Sequence, residues 1–261
     1  MSLNLDKKGR ALAKIEGGKY KDKVISVTSS MADVEDISAS FTQLQLPEKD
    51  GGKFQQVPDT HTERQILYIT GASGSGKSTY TASYVKLYKK AFKNNDVFVF
   101  SALKDDESLD VIKPKRIDIN DRLVTDPIKV DEFKDSCVIF DDIDVISNKK
   151  HRDAVYTLLN EILETGRHFK ITCVITNHLA TGGKDTRRVL NECHSVTYFP
   201  HSGSNVGLKR LLVDYLGLDK NTIKKIKKSK SRWATIFKNY PTIAMTERNL
   251  WLLCEDEENE D

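Results

Sequence analysis

Gly71-Ala72-Ser73-Gly74-Ser75-Gly76-Lys77-Ser78-Thr79 joins three glycines to a Lys-Ser pair, directly after the apolar run Ile66-Leu67-Tyr68-Ile69-Thr70. A strand that ends in a glycine-rich turn lets successive backbone N–H groups converge on one phosphate, and a helix starting near Lys77 adds its positive dipole end. This is the phosphate-binding-loop pattern. It expects residues 71–79 to cradle a nucleoside triphosphate, with Lys77 reaching the β- and γ-phosphates, the Ser78 hydroxyl ligating Mg²⁺ and Thr79 helping to hold the α-phosphate. An ordinary Gly/Ser turn requires neither the apolar strand before it, nor the Lys-Ser pair, nor the helix after it.

A second run, Cys137-Val138-Ile139-Phe140-Asp141-Asp142, is an apolar strand ending in two carboxylates. Downstream of a phosphate loop, such a strand end supplies the magnesium side of the site. Asp141 takes the Walker B role in the Mg²⁺ shell, and Asp142 is placed to polarise the water that attacks the γ-phosphate. A third run, Ile171-Thr172-Cys173-Val174-Ile175-Thr176, ends in Asn177-His178. In NTPases that carry a catalytic acid after Walker B, an extra strand lies between the phosphate-loop strand and the Walker B strand and presents a polar sensor. Asn177 is assigned that role, with His178 either sharing it or capping a loop. Thr165-Gly166-Arg167-His168 precedes this strand, and its turn would let Arg167 leave its own subunit and act as an arginine finger. The alternative is an arginine capping the preceding helix. Arg187 and Arg188, in a polar stretch read as a loop, are rival candidates.

The elements that must position these residues follow in alternation from Arg64 onward. A helix is expected from Ser78 to about Phe92, and strands at Val97 to Ser101, Arg116 to Ile119 and Cys137 to Phe140. A helix from Asp153 to Glu164, the strand Ile171 to Thr176 and another at Ser195 to Phe199 come next. Helical segments from Val206 to Leu216 and Asn221 to Lys228 precede final strands at Trp233 to Phe237 and Ile243 to Thr246. Alternating short strands and helices specify an α/β protein with a mainly parallel sheet. Residues 1–62 differ. They hold two short β-like runs, Val24 to Thr28 and Phe41 to Leu46, with a loop at residues 47–53 and a linker near Val57 to Thr62, and read as a small appendage. The expected division is an appendage at 1–62, a P-loop ATPase domain at 63–254 and an acidic tail at 255–261.

The chain has 261 residues, enough for one large core with an appendage. Its net charge of +3 hides a strong asymmetry, because Glu255-Asp256-Glu257-Glu258-Asn259-Glu260-Asp261 is almost wholly acidic and leaves the rest basic. Lys220, Lys224, Lys225, Lys227, Lys228, Lys230 and Arg232 form a run without an acidic residue. Phosphates are the natural partner of such a run, and without a base-reading motif the binding would be sequence-independent, unless the run is only a solvated helix face. The four cysteines, Cys137, Cys173, Cys193 and Cys254, lie far apart with no Cys-x-x-Cys pair, which points to reduced, buried thiols. No apolar run approaches the ~20 residues that span a bilayer, and the N-terminus has no signal-peptide core. An intracellular, non-secreted protein with no membrane partner is expected.

Taken together, residues 71–79, Ile139-Phe140-Asp141-Asp142-Ile143, Gly166-Arg167-His168, Thr176-Asn177, Arg188 with Asn191, and Ser231-Arg232-Trp233 ahead of Tyr240-Pro241 resemble the genome-packaging ATPases of large DNA viruses and virophages. These belong to the FtsK-HerA superfamily of DNA pumps. The resemblance covers roughly Arg64 to Leu253, and departs from the family at the sensor tip, where Gln is common and this chain has Asn177-His178. It implies a P-loop NTPase fold of the catalytic-acid (ASCE) type and a homo-oligomeric ring, usually hexameric. It further implies hydrolysis of ATP with Mg²⁺ at subunit interfaces, and double-stranded DNA driven into a preformed capsid, with the capsid or portal vertex as partner, in the host cytoplasm or the virion. Rival readings are a helicase or replication-initiation ATPase and a P-loop kinase of nucleosides or small molecules; a kinase would have no need of a water-activating acid and sensor.

Overall fold

The computed structural model describes residues 2–5, 7–28, 41–62, 64–178, 180–181 and 183–253. Cys254 and the acidic tail at 255–261 lie outside the described residues. In chain order the elements are β1 (Ser2–Asn4), β2 (Arg10–Glu16), β3 (Val24–Thr28), β4 (Gln43–Gln45), β5 (Lys53–Gln56), β6 (Ile66–Thr70), α1 (Lys77–Ala91), β7 (Asp96–Ser101), α2 (Glu107–Asp110), β8 (Lys115–Arg116), α3 (Asp121–Thr125) and β9 (Ser136–Asp141). They continue with α4 (Lys149–Thr165), β10 (Thr172–Asn177), α5 (Gly183–Glu192), β11 (Ser195–Tyr198), α6 (Asn205–Arg210), α7 (Lys220–Lys228), β12 (Ala234–Phe237), β13 (Ile243–Thr246) and β14 (Asn249–Leu252).

A ten-stranded sheet runs in the order β4-β14-β13-β12-β11-β6-β10-β9-β7-β8. The six strands from β11 to β8 are mutually parallel, whereas β12, β13, β14 and β4 extend the sheet antiparallel. The expected intervening strand is present, since β10 lies between β6 and β9 with Cys173 opposite Ile66 and Val138. Alternation along β6 sends Ile66 and Tyr68 to one face of the sheet and Leu67 and Ile69 to the other. The first face packs against Val155, Leu159 and Ile162 of α4 and Leu190 of α5. The second packs against Tyr80, Tyr84, Val85 and Tyr88 of α1. Each fully buried aliphatic or aromatic side chain of these layers contributes about 1.5–3 kcal/mol, so both faces are held rigidly beneath the strand ends.

Residues before β6 form a second, antiparallel sheet in the order β1-β3-β2-β5 and give β4 to the edge of the large sheet. Leu12, Ile15, Ile25 and Phe54 of the small sheet share a core with Phe237, Ile243, Met245 and Leu250 of the large one. Its last strand also reaches α1, where the Tyr80 hydroxyl donates to Gln56 Oε1 at 2.9 Å.

Most expected elements lie within a few residues of their observed bounds. Three differ. The polar stretch carrying Arg187 and Arg188, read as a loop, is the helix α5, because Thr186, Val189 and Leu190 are buried on one face at helical spacing. The strand expected from Arg116 to Ile119 is the two-residue β8, and the helix expected from Val206 to Leu216 is α6 followed by a π-helical turn at Leu211–Tyr215. Cys137 and Cys173 are fully buried, and burial pushes both thiols up, which leaves them inert. No described helix is long and apolar enough to cross a membrane.

Candidate active site

The phosphate loop follows β6 at the C-terminal end of the parallel strands, the edge where α/β sheets bind ligands. Gly74 and Gly76 have φ of 73° and 109°, a region open to glycine and costly for other residues. A Cβ on Gly71 would stand 2.6 Å from Ser75 Oγ and 2.8 Å from Phe199 Cδ2, so only glycine allows this approach. The loop is tied on both flanks. Gly71 N–H donates to the Asn177 carbonyl at 3.2 Å, and Ala72 N–H donates to Ser202 Oγ at 3.2 Å. Ser75 Oγ is buried without a hydrogen-bond partner among the described residues. Helix α1 starts at Lys77, and Tyr80 N–H donates to the Gly76 carbonyl at 2.9 Å. Ser78 is half-buried and Thr79 exposed in its first turn.

Lys77, only 5% exposed, extends its ammonium back across the loop. Nζ donates to the Gly71 carbonyl at 3.2 Å and to His178 Nδ1 at 3.3 Å, and lies 3.4 Å from Asp142 Oδ2. His178 Nε2 is 3.1 Å from the same carboxylate oxygen. An ammonium only donates, so the imidazole accepts from Lys77 at Nδ1 and presents Nε2 to Asp142.

The two carboxylates are separated by the backbone itself. Asp141, the last residue of β9, is buried, with Oδ1 accepting from Thr176 Oγ1 at 2.8 Å and Oδ2 from Ser101 Oγ at 3.1 Å. Burial holds it above the usual carboxylate range; the bond from Thr176 opposes this and the charge of Asp142 adds to it. Asp142 then turns into the left-handed region with φ 45° and ψ 42°, which aims its carboxylate at Lys77 instead of continuing the strand. Its N–H donates to the Thr176 carbonyl at 3.1 Å and to Thr176 Oγ1 at 3.0 Å.

Asn177 ends β10, where its Nδ2 is 3.5 Å from the Tyr68 hydroxyl and its Oδ1 is buried without a partner among the described residues. The structure thus sets the His178 ring, and not the Asn177 amide, against Lys77 and Asp142. Ser101 and Thr176, which orient the carboxylates, carry no assigned role in the sequence, where Thr176 stands only as the end of an apolar strand. Each is a small hydroxyl at the end of an apolar strand, a weak signal without the strand order.

Arg167 lies elsewhere. It is exposed in the turn before β10, at the N-terminal end of the parallel strands, and lines a cavity of about 560 Å³ with Arg10, His61, Arg64 and His194. A strand of five or six residues spans about 17–20 Å, so the phosphate loop of the same chain is out of its reach. The last carbonyls of α4, which the alternative reading gave to Arg167, accept from Arg64: Nη1 to Ile162 O at 2.7 Å and Nη2 to Leu163 O at 2.8 Å. Arg187 and Arg188 are exposed on α5, and Arg188 is 3.5 Å from Glu164.

The donor set suits Mg²⁺, a hard cation that prefers carboxylate and hydroxyl oxygen beside phosphate. Asp141 keeps lone pairs free on both oxygens, and burial disfavours its charge unless a cation offsets it. With Ser78 at the start of α1, these are the residues that fit the ion.

No protein-family model matches the chain. It is 45% identical over 241 residues, 92% of its length and 94% of the relative's, to the uncharacterized protein V3 of Sputnik virophage. In fold it is similar to the genome-packaging NTPase B204 of Sulfolobus turreted icosahedral virus 2 in complex with ATP-gammaS, with a TM-score of 0.50 and 15% identity over 71% of this chain and 97% of that one. It is similar also to the cytoplasmic domain of the type VII secretion ATPase EccC of Thermomonospora curvata, with a TM-score of 0.52 and 12% identity over 79% of this chain and 28% of that one.

Proposed function

The chain belongs to the family of the Sputnik virophage protein V3, and from that premise we propose that it is a viral P-loop ATPase of the FtsK-HerA genome-packaging type that couples ATP hydrolysis to the movement of double-stranded DNA into a capsid. The observation that carries the reading is the pairing of Asp142 with Lys77 at 3.4 Å, at the mouth of a glycine-rich loop and one strand removed from it. Backbone N–H groups of Ser73, Gly74 and Gly76 and the start of α1 hold the triphosphate, and Lys77 bears on its β- and γ-oxygens. Asp142 orients a water in line with the γ-phosphorus and takes its proton as the new P–O bond forms and the bond to the β-phosphate oxygen breaks, leaving ADP and inorganic phosphate. Ser78 and Asp141 would hold Mg²⁺, which when bound would offset charge on the phosphate oxygens. His178, bonded to both Lys77 and Asp142, positions the pair and reads the γ-phosphate in place of Asn177. In a homo-oligomeric ring, for which six subunits are the superfamily's usual number, Arg167 completes a neighbour's site.

The test separates binding from turnover. Lys77→Ala is expected to weaken ATP binding by tenfold or more, on the order of what a charge-assisted contact to phosphate contributes. Asp142→Asn is expected to bind ATP with little change and to lose at least ~10²-fold in kcat, the low end of what a positioned acid–base group supplies. Near-normal hydrolysis by Asp142→Asn would reduce Asp142 to a structural carboxylate. Stimulation by double-stranded DNA, against single-stranded DNA and nucleosides, distinguishes a pump from a helicase and from a kinase.

A further inference from the structure

The strand order gives the triphosphate a direction across the loop. Lys77, Asp142 and His178 mark its γ-phosphate end, on the side of β10 and β9. On the other side of β6 lie β11 and β12, and because β12 is antiparallel its first residue, Ala234, stands beside Tyr198 at the same end of the sheet. A nucleotide whose γ-phosphate lies against Asp142 therefore extends its nucleoside toward the turn that opens β12.

A small cleft of about 100 Å³ lies there, lined by Gln55, Thr79, Ser83, Phe199, Arg232 and Trp233. Its floor is the first two turns of α1, and its rim carries two aromatic rings and a guanidinium. Phe199 Cε1 and Arg232 Nη2 lean over Gly76, standing 3.4 and 3.7 Å from the position a Cβ would occupy. The supports are fixed. Arg232 N–H donates to Glu247 Oε2 at 2.9 Å, Glu247 N–H donates to Ser231 Oγ at 2.9 Å, and Lys53 of β5 pairs with Glu247 Oε1 at 3.2 Å. Trp233 meets Tyr80 of α1 edge to face, with ring centroids 5.0 Å apart. Arg232 itself is exposed, and its guanidinium has no ion-pair partner among the described residues.

We infer that this cleft binds the nucleoside of the bound triphosphate, with the Arg232 guanidinium clamped over the base and Trp233 and Phe199 forming the apolar wall. A planar, weakly hydrated guanidinium stacks on aromatic faces as an ammonium does not, and a purine offers the largest such face. The assignment rests on the proposed nucleotide site. It takes Arg232 out of the basic run, since the residue sits over the phosphate loop and apart from the face of α7. It also makes the small N-terminal sheet part of the site, because β5 supplies Gln55 to the wall and Lys53 to the brace on Glu247.

Calorimetric titration with ATP and with inorganic tripolyphosphate tests this, because the second ligand lacks a nucleoside. Arg232→Ala is expected to weaken ATP binding about tenfold, the scale of a desolvated guanidinium-to-ring contact, and to leave tripolyphosphate binding unchanged. Arg232→Lys is expected to recover little of the loss. A second readout is Trp233 emission in a Trp251→Phe background: ATP should change it and tripolyphosphate should not. Equal weakening toward both ligands would make Arg232 a phosphate contact and overturn the nucleoside assignment, as would unchanged affinity for both or an emission response to tripolyphosphate. Lys77→Ala provides the separate check on the underlying reading, since it should weaken both ligands, and unchanged binding of both would overturn the nucleotide site itself.

Discussion

Asp142 shows how much of the candidate chemistry depends on a single backbone angle. A strand alternates its side chains between faces, so two consecutive carboxylates at a strand end would diverge. The left-handed turn at Asp142, with φ 45°, brings the second one back toward Lys77. That conformation costs a non-glycine residue roughly 1–2 kcal/mol, and Thr176 offsets it by accepting twice from the Asp142 N–H, through O and Oγ1. The same hydroxyl is 2.8 Å from Asp141 Oδ1 and 3.2 Å from Asp142 Oδ1, so one side chain sets both acids. Thr176→Val keeps the shape and the carbonyl but removes the hydroxyl. It is expected to lower stability by about 1–3 kcal/mol, the penalty for unpairing buried polar groups, and to lower kcat more than ATP affinity. A denaturant melt and steady-state ATPase assays check both, and an unchanged kcat would limit Thr176 to a packing role. The sequence announced Asp141 and Asp142 but not Thr176, which stands as one more β-branched residue in an apolar strand and acquires its role only when β10 is placed beside β9.

At the scale of elements, the parallel strands other than β8 were legible because each is largely a run of apolar residues bounded by polar ones, and the helix after the phosphate loop because the loop itself requires it. Helix α5 was not legible, since its buried Thr186, Val189 and Leu190 are separated by charged and polar residues that resemble a loop. Strand β14 was missed because Asn249–Leu252 has no alternation of its own and is defined by pairing with β13 and β4. One seam between elements makes a pH prediction. His194 Nδ1 accepts from the Ile66 N–H at 2.8 Å where β6 meets β11, and burial, aided by Arg64, Arg10 and Lys238, pushes its pKa down from 6.5 to about 4. Between those values the unfolded chain takes up a proton that the folded chain refuses, so stability should fall as pH drops from about 6.5 to 4. Urea midpoints measured across that window should depend less steeply on pH in His194→Gln, and an equally steep wild-type and variant dependence would place the effect elsewhere. A second element-level prediction concerns α7. Ile226 is its buried anchor, and Lys225 is held over the Trp251 ring at 4.7 Å, which leaves Lys220, Lys224, Lys227 and Lys228 exposed. If ~4 lysines neutralise phosphates, log affinity for duplex DNA should fall with log salt with a slope of about −3.6 from this helix. Replacing those four with Gln should flatten the slope while sparing ATP binding, and an unchanged slope would make α7 a solvated face.

For the whole molecule, the two halves of the proposed ATPase site stand at opposite ends of the parallel sheet. The C-terminal end carries the phosphate loop, Lys77 and Asp142, and the N-terminal end carries Arg167 in an arginine-lined cavity with Arg10 and Arg64. Separated by the length of a strand, these halves cannot meet within one chain, whereas a head-to-tail contact between copies would bring them together. Such heterologous contacts close into a ring where the rotation between copies closes on itself. This arrangement predicts complementation. Arg167→Ala subunits and Asp142→Asn subunits should each hydrolyse ATP poorly alone, because every interface lacks either the finger or the acid. In mixed assemblies some interfaces join the intact Asp142 of an Arg167→Ala chain to the intact Arg167 of an Asp142→Asn chain, so activity should rise above that of either parent. An arginine finger contributes ~10³–10⁵ in rate, so even a minority of restored interfaces should be measurable. The recovered rate should follow the statistical fraction of such interfaces as the mixing ratio changes and be greatest near equal proportions. Mixed assemblies verified by native mass spectrometry that recover nothing would remove Arg167 from the reaction and pass the role to Arg187 or Arg188, for which the same mixing experiment then decides.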